Sequence, residues 1–269
     1  MSALVSLPMY NLPEMREVNA RFWEALRGRL LETGLADVPE KLIFERGPVP
    51  PRLEDELLFS QTCGYPLETV FKGQAIRLGA PIYDAPGCDG PSYCSILVVA
   101  AGSQATSPAD LQGKRAAFNT PDSQSGMNAL RAVIAPLAEG GRFFAEIIET
   151  GGHAASLDLV AAGGADVAAI DAVSLALFAL YRRPAAARVR ELCRSPSAPS
   201  LPFITAGGAS HERVMRLRDG LRTAMADPDL AGARQALLLR DIMLLPDSAY
   251  EPILEMERAA QRRGYPILA

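Results

Sequence analysis

Apolar positions recur along the chain in two rhythms. Leu12, Met15, Val18, Phe22, Leu26 and Leu30 return every three or four residues, which predicts an amphipathic helix over residues 12–33 that stops near Gly34. Trp23 lies beside that stripe and is expected in helix packing. Residues 3–7 read as a first strand. After a Pro/Gly-rich loop at 47–51, residues 57–61 read as a buried strand running into Thr62-Cys63-Gly64-Tyr65-Pro66. Strands are also predicted at 74–83 and 93–101, separated by the turn-rich residues 84–91. From Lys114 the rhythm becomes a regular alternation. Strands at 114–118, 144–149 and 166–170 are followed by helices at 124–138, 153–162 and 172–181. A strand at 189–193, a stiff Ser/Pro connector at 195–199, and helices at 211–225, 230–239 and 250–263 complete the pattern. Such alternation predicts a parallel sheet with helices on both faces.

Composition narrows the class. With 269 residues the chain suits two lobes better than one small core. Apolar residues make up 49% and charged residues 22%, the balance of a globular protein. The net charge of −4 favours neither nucleic acid nor an anionic membrane as partner, and no apolar run is long enough to span a bilayer. The first ten residues carry no basic segment and no long apolar segment, so the chain as written is expected in the cytoplasm, or in the periplasm if an export signal lies upstream. Cys63, Cys88, Cys94 and Cys193 form no CxxC pair, and with two histidines in the chain no metal site is expected. Cys88 and Cys94 are close enough in sequence to bridge, but free thiols are expected in a reducing compartment.

The candidate chemistry sits in Asn119-Thr120-Pro121-Asp122-Ser123-Gln124-Ser125-Gly126-Met127-Asn128, a polar stretch between a strand and a helix. The first amides of a helix lack intrahelical acceptors, and the helix dipole adds partial positive charge there. Ser123 and Ser125 add hydroxyls, and Gly126 permits close approach to the backbone. Two readings are open: a small-oxyanion site, or a helix capped by Asp122 or Ser123. His153 opens the next helix after Gly151-Gly152, and Asp171 ends the following strand. Ligands of open α/β sheets bind beyond the carboxyl ends of strands, where all these residues fall. Capping is again the alternative, for Asp171 above all.

The run Asp122-Ser123-Gln124-Ser125-Gly126, then Gly152-His153, then Gly163-Gly164-Ala165-Asp166-Val167-Ala168-Ala169-Ile170, resembles the phosphonate/phosphite/phosphate-binding proteins of ABC importers. The resemblance implies a two-lobe type II periplasmic-binding-protein fold of class α/β. Each lobe would be a mainly parallel sheet flanked by helices, and two hinge strands would join them. Lobe 1 would comprise residues 1–101 and 195–269, and lobe 2 residues 102–194, with hinges near 101–103 and 193–195. It implies that Ser123, the Gln124 amide, Ser125, Gly126 and His153 hold the oxyanion head in a cleft that closes on ligand, with Asp171 nearby. Tyr10, Gln61, Thr62, Tyr65 and Tyr83 would cover it from lobe 1, and Tyr93 would lie near a hinge. Family members that bind aminoalkylphosphonates place an acidic residue near Val173, so Asp171 would have to pair an ammonium group here.

The resemblance implies a small oxyanion ligand, no cofactor, and an ABC permease or a cytoplasmic signalling partner. A competing reading is a lyase-type enzyme or ligand sensor on the same two lobes, with His153 or Asp171 as acid or base. Against it, the sequence shows no nucleophile–base pair, GxGxxG or GxxxxGK[ST] motif. Binding protein, not enzyme, is the expectation.

Overall fold

The computed structural model describes residues 3–45 and 53–269; the 47–51 loop of the sequence pattern lies outside them. In chain order the elements begin with β1 (Leu4–Val5), α1 (Arg16–Glu32), β2 (Leu57–Gln61), α2 (Gly64–Glu68) and β3 (Ala75–Tyr83). The hairpin strands β4 (Cys88–Asp89) and β5 (Ser92–Tyr93) precede β6 (Ser95–Ala100) and β7 (Arg115–Phe118). A π-helical turn, Gln124–Asn128, runs directly into α3 (Ala129–Ile134). Then come β8 (Glu146–Glu149), α4 (His153–Ala161), β9 (Val167–Asp171), α5 (Ala172–Tyr181), α6 (Arg183–Ala186) and β10 (Val189–Arg194). β11 (Ala198–Pro199), β12 (Phe203–Ala206), α7 (His211–Ala226), α8 (Ala231–Ala236), β13 (Leu239–Met243) and α9 (Glu251–Arg262) follow.

These elements form two units, Met1–Asp84 with Pro199–Asp247, and Ala85–Ala198 with Ser248–Ala269. The boundaries differ from the expected 1–101/102–194/195–269 division. Residues 85–101 belong to the second unit because β6 is an inner strand of its sheet, between β10 and β9. α9 belongs there too, since Asn128 Nδ2 donates to the Ile253 carbonyl at 2.9 Å. The chain therefore passes between units at 84/85, 198/199 and 247/248. The expected hinge positions 101–103 and 193–195 fall inside the second unit, where β6 and β10 pair.

In the first unit the strand order is β1-β2-β12-β3-β13. β1 runs parallel to β2, but β12 is antiparallel to both β2 and β3, and β13 is antiparallel to β3. The sheet is mixed, not mainly parallel. Its buried face carries a stack of Trp23, Phe59 and Phe203, with centroids 5.8 and 5.1 Å apart. Trp23 thus packs in the core, and its Nε1–H donates to the Pro39 carbonyl at 3.1 Å. α1 and α7 approach closely where Gly220 meets Leu30; any β-carbon at 220 would overlap the leucine. The predicted helix over 230–239 ends at Ala236, and Leu239–Met243 is a strand. A leucine-rich run of that length satisfies either period, and pairing with β3 decides it.

In the second unit the order is β10-β6-β9-β7-β8. β9, β7 and β8 are mutually parallel, whereas β6 is antiparallel to β9 and β10 to β6, so this sheet is mixed as well. Leu97, Val99, Ala116, Leu130, Ile134, Val167 and Ala169 form its core, with Ala260 and Tyr265 of the C-terminal segment. Beneath the π turn lies a buried polar chain. Asn128 Nδ2 donates to Gln124 Oε1 at 2.6 Å, and Arg131 donates to Asn128 Oδ1 and to the Pro266 carbonyl, both at 2.7 Å. Through Arg131 to Pro266 and Asn128 to Ile253 this chain ties the helix start to the C-terminal segment. Asn128→Ala would strand several buried donors and acceptors, each costing about 1–3 kcal/mol if left unpaired. The expected result is a loss of about 2–4 kcal/mol in urea unfolding, larger than for Ala substitution of exposed Glu251 in α9, which should stay within about 0.5 kcal/mol.

Candidate functional site

Strand β7 lies between β9 and β8 in a parallel trio, so the carboxyl ends of all three share one edge of the sheet. The turns leaving that edge are stitched together. Thr150 N–H donates to the Phe118 carbonyl at 2.9 Å, and Gly151 N–H to the Asn119 carbonyl at 2.8 Å. The Thr150 hydroxyl donates to the Phe118 carbonyl at 2.9 Å and lies 2.6 Å from the Ser156 hydroxyl. The helix starts after β7 and β8 are thereby held side by side.

At the first of these starts, Ser123 is extended (φ −82°, ψ 132°) and its Oγ accepts from the Gly126 amide at 2.9 Å. Ser123 therefore caps the helix, while its hydroxyl proton remains available to a ligand. The turn is wide: the Asn128 amide reaches back five residues to the Ser123 carbonyl at 3.0 Å. This π turn replaces the first part of the α-helix expected over 124–138, which ends at Ile134. Single π turns recur at functional sites. Gln124 is buried, with its side chain committed to Asn128 and to the Met256 sulfur, 3.3 Å from Nε2. Gly126 was expected to admit a ligand; the space where its β-carbon would project is filled by the Asn119 carboxamide.

Ser125 is buried, and its Oγ lies 2.7 Å from His153 Nε2. The two residues predicted to act together do meet. Burial pushes the His153 pKa down to about 4, and the nearby Ala169 carbonyl opposes the shift without reversing it. The ring's Nδ1 is closed to solvent and has no hydrogen-bond partner. At neutral pH the imidazole is uncharged, so its contact with the Ser125 hydroxyl is one between neutral groups.

Asp171 is buried at the end of β9, and its Oδ1 accepts from the Ser174 amide at 2.8 Å. It is the N-cap of α5. The five remaining candidates belong to the first unit. Tyr10 and Tyr83 pack edge to face at 5.3 Å, and Gln61 Nε2 donates to the Tyr83 hydroxyl at 3.0 Å and the Leu201 carbonyl at 2.9 Å. Tyr10, Gln61 and Tyr83 line a cavity of about 20 Å³ within the first unit, with Asn19 and Phe22; it has room for a water or two. Thr62 is buried, and Tyr65 is half-buried at the start of α2. Tyr93 is a core residue of the β4–β5 hairpin. Sequence reasoning missed Asn119 and Asn128. The signal for Asn128 was present: an amide side chain on the inward side of a helix calls for buried partners.

A family model for the periplasmic substrate-binding protein of phosphonate ABC transporters matches residues 75–249. The chain belongs to that family. Its place there makes it a substrate-binding transport component of the phosphonate type. Among solved structures it resembles the binding-protein component of a phosphonate ABC transporter from Pseudomonas aeruginosa (17% identity, TM-score 0.76, covering 98% of this chain and 88% of the other). It also resembles PhnD1 from Prochlorococcus marinus in complex with methylphosphonate (13%, TM-score 0.75, 97% and 99%). The alkanesulfonate-binding protein SsuA from Xanthomonas axonopodis pv. citri, bound to MOPS, is a third (16%, TM-score 0.64, 100% and 96%). At these identities the likeness bears on the two-lobe α/β fold. A comparison with curated proteins finds no match. Among the described residues no helix is long and apolar enough to cross a membrane, and no group of three or more His, Cys, Asp or Glu side chains could hold a metal ion. No disulfide joins Cys63, Cys88, Cys94 or Cys193.

The neutral histidine gives this binding protein a pH signature. His153 has a pKa of about 4 when folded, against an ordinary value of 6.5. Between these values the unfolded chain binds more protons, so stability rises with pH through the window. His153's contribution is complete above about pH 6.5 and lost as pH falls toward 4. The full shift is worth about 3 kcal/mol, and because part of the residue remains exposed the expected slope corresponds to about 1–3 kcal/mol. Urea midpoints measured from pH 7.5 to 4 should fall less steeply in His153→Gln than in the unsubstituted protein.

Proposed function

We propose that the second unit binds the head group of a small phosphorus oxyanion, of phosphonate, phosphite or phosphate type, on the helix start after β7, for delivery to an ABC permease. The observation that carries this reading is the Ser125–His153 contact at 2.7 Å, which joins two helix starts over one edge of a parallel sheet. The amides that open each helix lack intrahelical acceptors and point outward with the positive end of the helix dipole. At α4 the N-cap is Gly152, with no side chain to satisfy them. The hydroxyls of Ser123 and Ser125 stand beside the other start. An oxyanion takes up such donors with bonds stronger than those between neutral groups. The methylphosphonate bound to PhnD1 is a ligand of this chemistry, and the family to which the chain belongs is defined by phosphonates.

Asp171 does not supply an ammonium partner in this reading. One of its oxygens is held by the α5 cap, and Val173 is fully buried. Ligands without an amino group, such as methylphosphonate, phosphite and phosphate, are preferred over 2-aminoethylphosphonate. The role is binding for transport in the periplasm, as in the rest of the family, with no chemical step assigned to His153.

The test is isothermal titration with methylphosphonate, phosphite, phosphate and 2-aminoethylphosphonate. Ser125→Ala with His153→Ala should weaken the tightest of these at least tenfold, since a hydrogen bond to a charged group contributes about 1.5–3 kcal/mol. Unchanged affinity in a folded double variant would overturn the site.

A further inference from the structure

Positive charge is unevenly spread over the second unit. Between Tyr181 and Arg194 the chain carries Arg182, Arg183, Arg188, Arg190 and Arg194 against one acid, Glu191, a net +4 in a protein of net −4. These residues run from the end of α5 through the short helix α6 into β10, an edge strand bonded only to β6. Two of the five arginines are answered locally: Arg182 lies 3.8 Å from Asp158 and Arg194 2.8 Å from Glu191. Arg190 spends its guanidinium on the Ser103 and Ala105 carbonyls, which leave its charge uncompensated. Arg183 and Arg188 are exposed, and among the described residues neither has a carboxylate partner. The Arg188 amide donates to the Ala185 carbonyl, and the Ala185 amide to the Arg182 carbonyl, both at 3.1 Å, so the segment folds into tight turns that keep these cations together. Directly ahead of them Leu180 is 47% exposed and Tyr181 half-buried. An exposed leucine alone is ordinary. Beside an aromatic ring and unpaired arginines it completes the mixture found where protein meets a lipid headgroup layer.

We infer that the end of α5, α6 and the start of β10 form a docking surface for anionic phospholipid headgroups. Every cation of the patch is an arginine, whose planar fork matches a phosphate with two parallel hydrogen bonds. The family's task also brings the chain to a transporter embedded in a membrane. The negative net charge does not oppose this contact strongly, because salt confines electrostatic attraction and repulsion to about 10 Å at 0.1 M. At that range the local patch outweighs the distant acids. The surface is independent of the oxyanion site and stands or falls apart from it.

The experiment is co-sedimentation of the full chain with vesicles of phosphatidylcholine alone and of phosphatidylcholine mixed with phosphatidylglycerol, at low and high salt. The chain should sediment with the anionic vesicles at low salt, and much less with neutral vesicles or at high salt. An arginine near an anionic surface contributes about a fivefold gain in binding, so Arg183→Glu with Arg188→Glu should lower the partition at least tenfold. A control pair, Arg213→Glu with Arg222→Glu, makes the same change in net charge at exposed positions of α7 in the first unit and should leave most of the binding intact. Equal loss in both pairs would show that total charge governs, and would overturn the assignment. So would equal binding to neutral and anionic vesicles, or no binding to either. If the chain ignores both vesicles but is retained by immobilised polyglutamate through Arg183 and Arg188, the patch serves an acidic polypeptide and the lipid assignment falls. Should the charge-reversed pair not fold, Arg183→Gln with Arg188→Gln decides, with a loss of about fivefold or more expected.

Discussion

Three parallel strands that end side by side are the constraint on which the second unit depends. Parallel neighbours point their carboxyl ends the same way, so β9, β7 and β8 deliver their exit turns to one edge. Each turn then opens a helix, whose first amides lack intrahelical acceptors and are met in part by the Ser123 and Asp171 side chains. Nothing in that arrangement requires a formal positive charge. The edge is made by backbone geometry, and side chains then adjust it: Ser123 and Asp171 as caps, Gly152 as a start without a capping side chain, His153 as a bridge to Ser125.

The buried chain from Gln124 through Asn128 to Arg131 explains why this edge holds its shape. A π turn spends its backbone hydrogen bonds over a longer loop than an α-turn, and on its own is a poorer way to start a helix. Here Asn128 lies at the end of the wide turn and is bonded to Gln124, to the Ile253 carbonyl and to Arg131. The C-terminal segment is therefore part of the site's foundation, although it is more than 120 residues away in the sequence. It packs into the same core through Ala260 and Tyr265.

That foundation marks the line between what the sequence disclosed and what it withheld. The strand–helix alternation from Lys114 onward was legible because each element buries one face, and local periodicity records burial directly. Helix α5 is found over the very residues expected, Ala172–Tyr181, because Asp171 caps it locally. The meeting of Ser125 with His153 followed from topology alone, since both leave strands at one edge. Three things depended on partners far away in the chain. Leu239–Met243 became a strand through pairing with β3, α9 joined the second unit through Asn128, and the antiparallel strands β10 and β12 made both sheets mixed. Asn119 was hidden for a different reason. Its place is set by the absence of a β-carbon seven residues later, a relation no hydrophobic pattern encodes.

The proposed site, built from amides, hydroxyls and a neutral imidazole, bears on how a chain of net charge −4 can hold an anion. Long-range attraction works against it, because the overall field repels a negative ligand. Short-range dipoles act over a few ångströms, where fixed donors in a water-poor edge are stronger than they would be in bulk solvent. A charged histidine would add attraction, but burial keeps His153 uncharged at neutral pH, with its Nε2 2.7 Å from the Ser125 hydroxyl. Discrimination thus falls to geometry and to the number of donors a head group can satisfy at once.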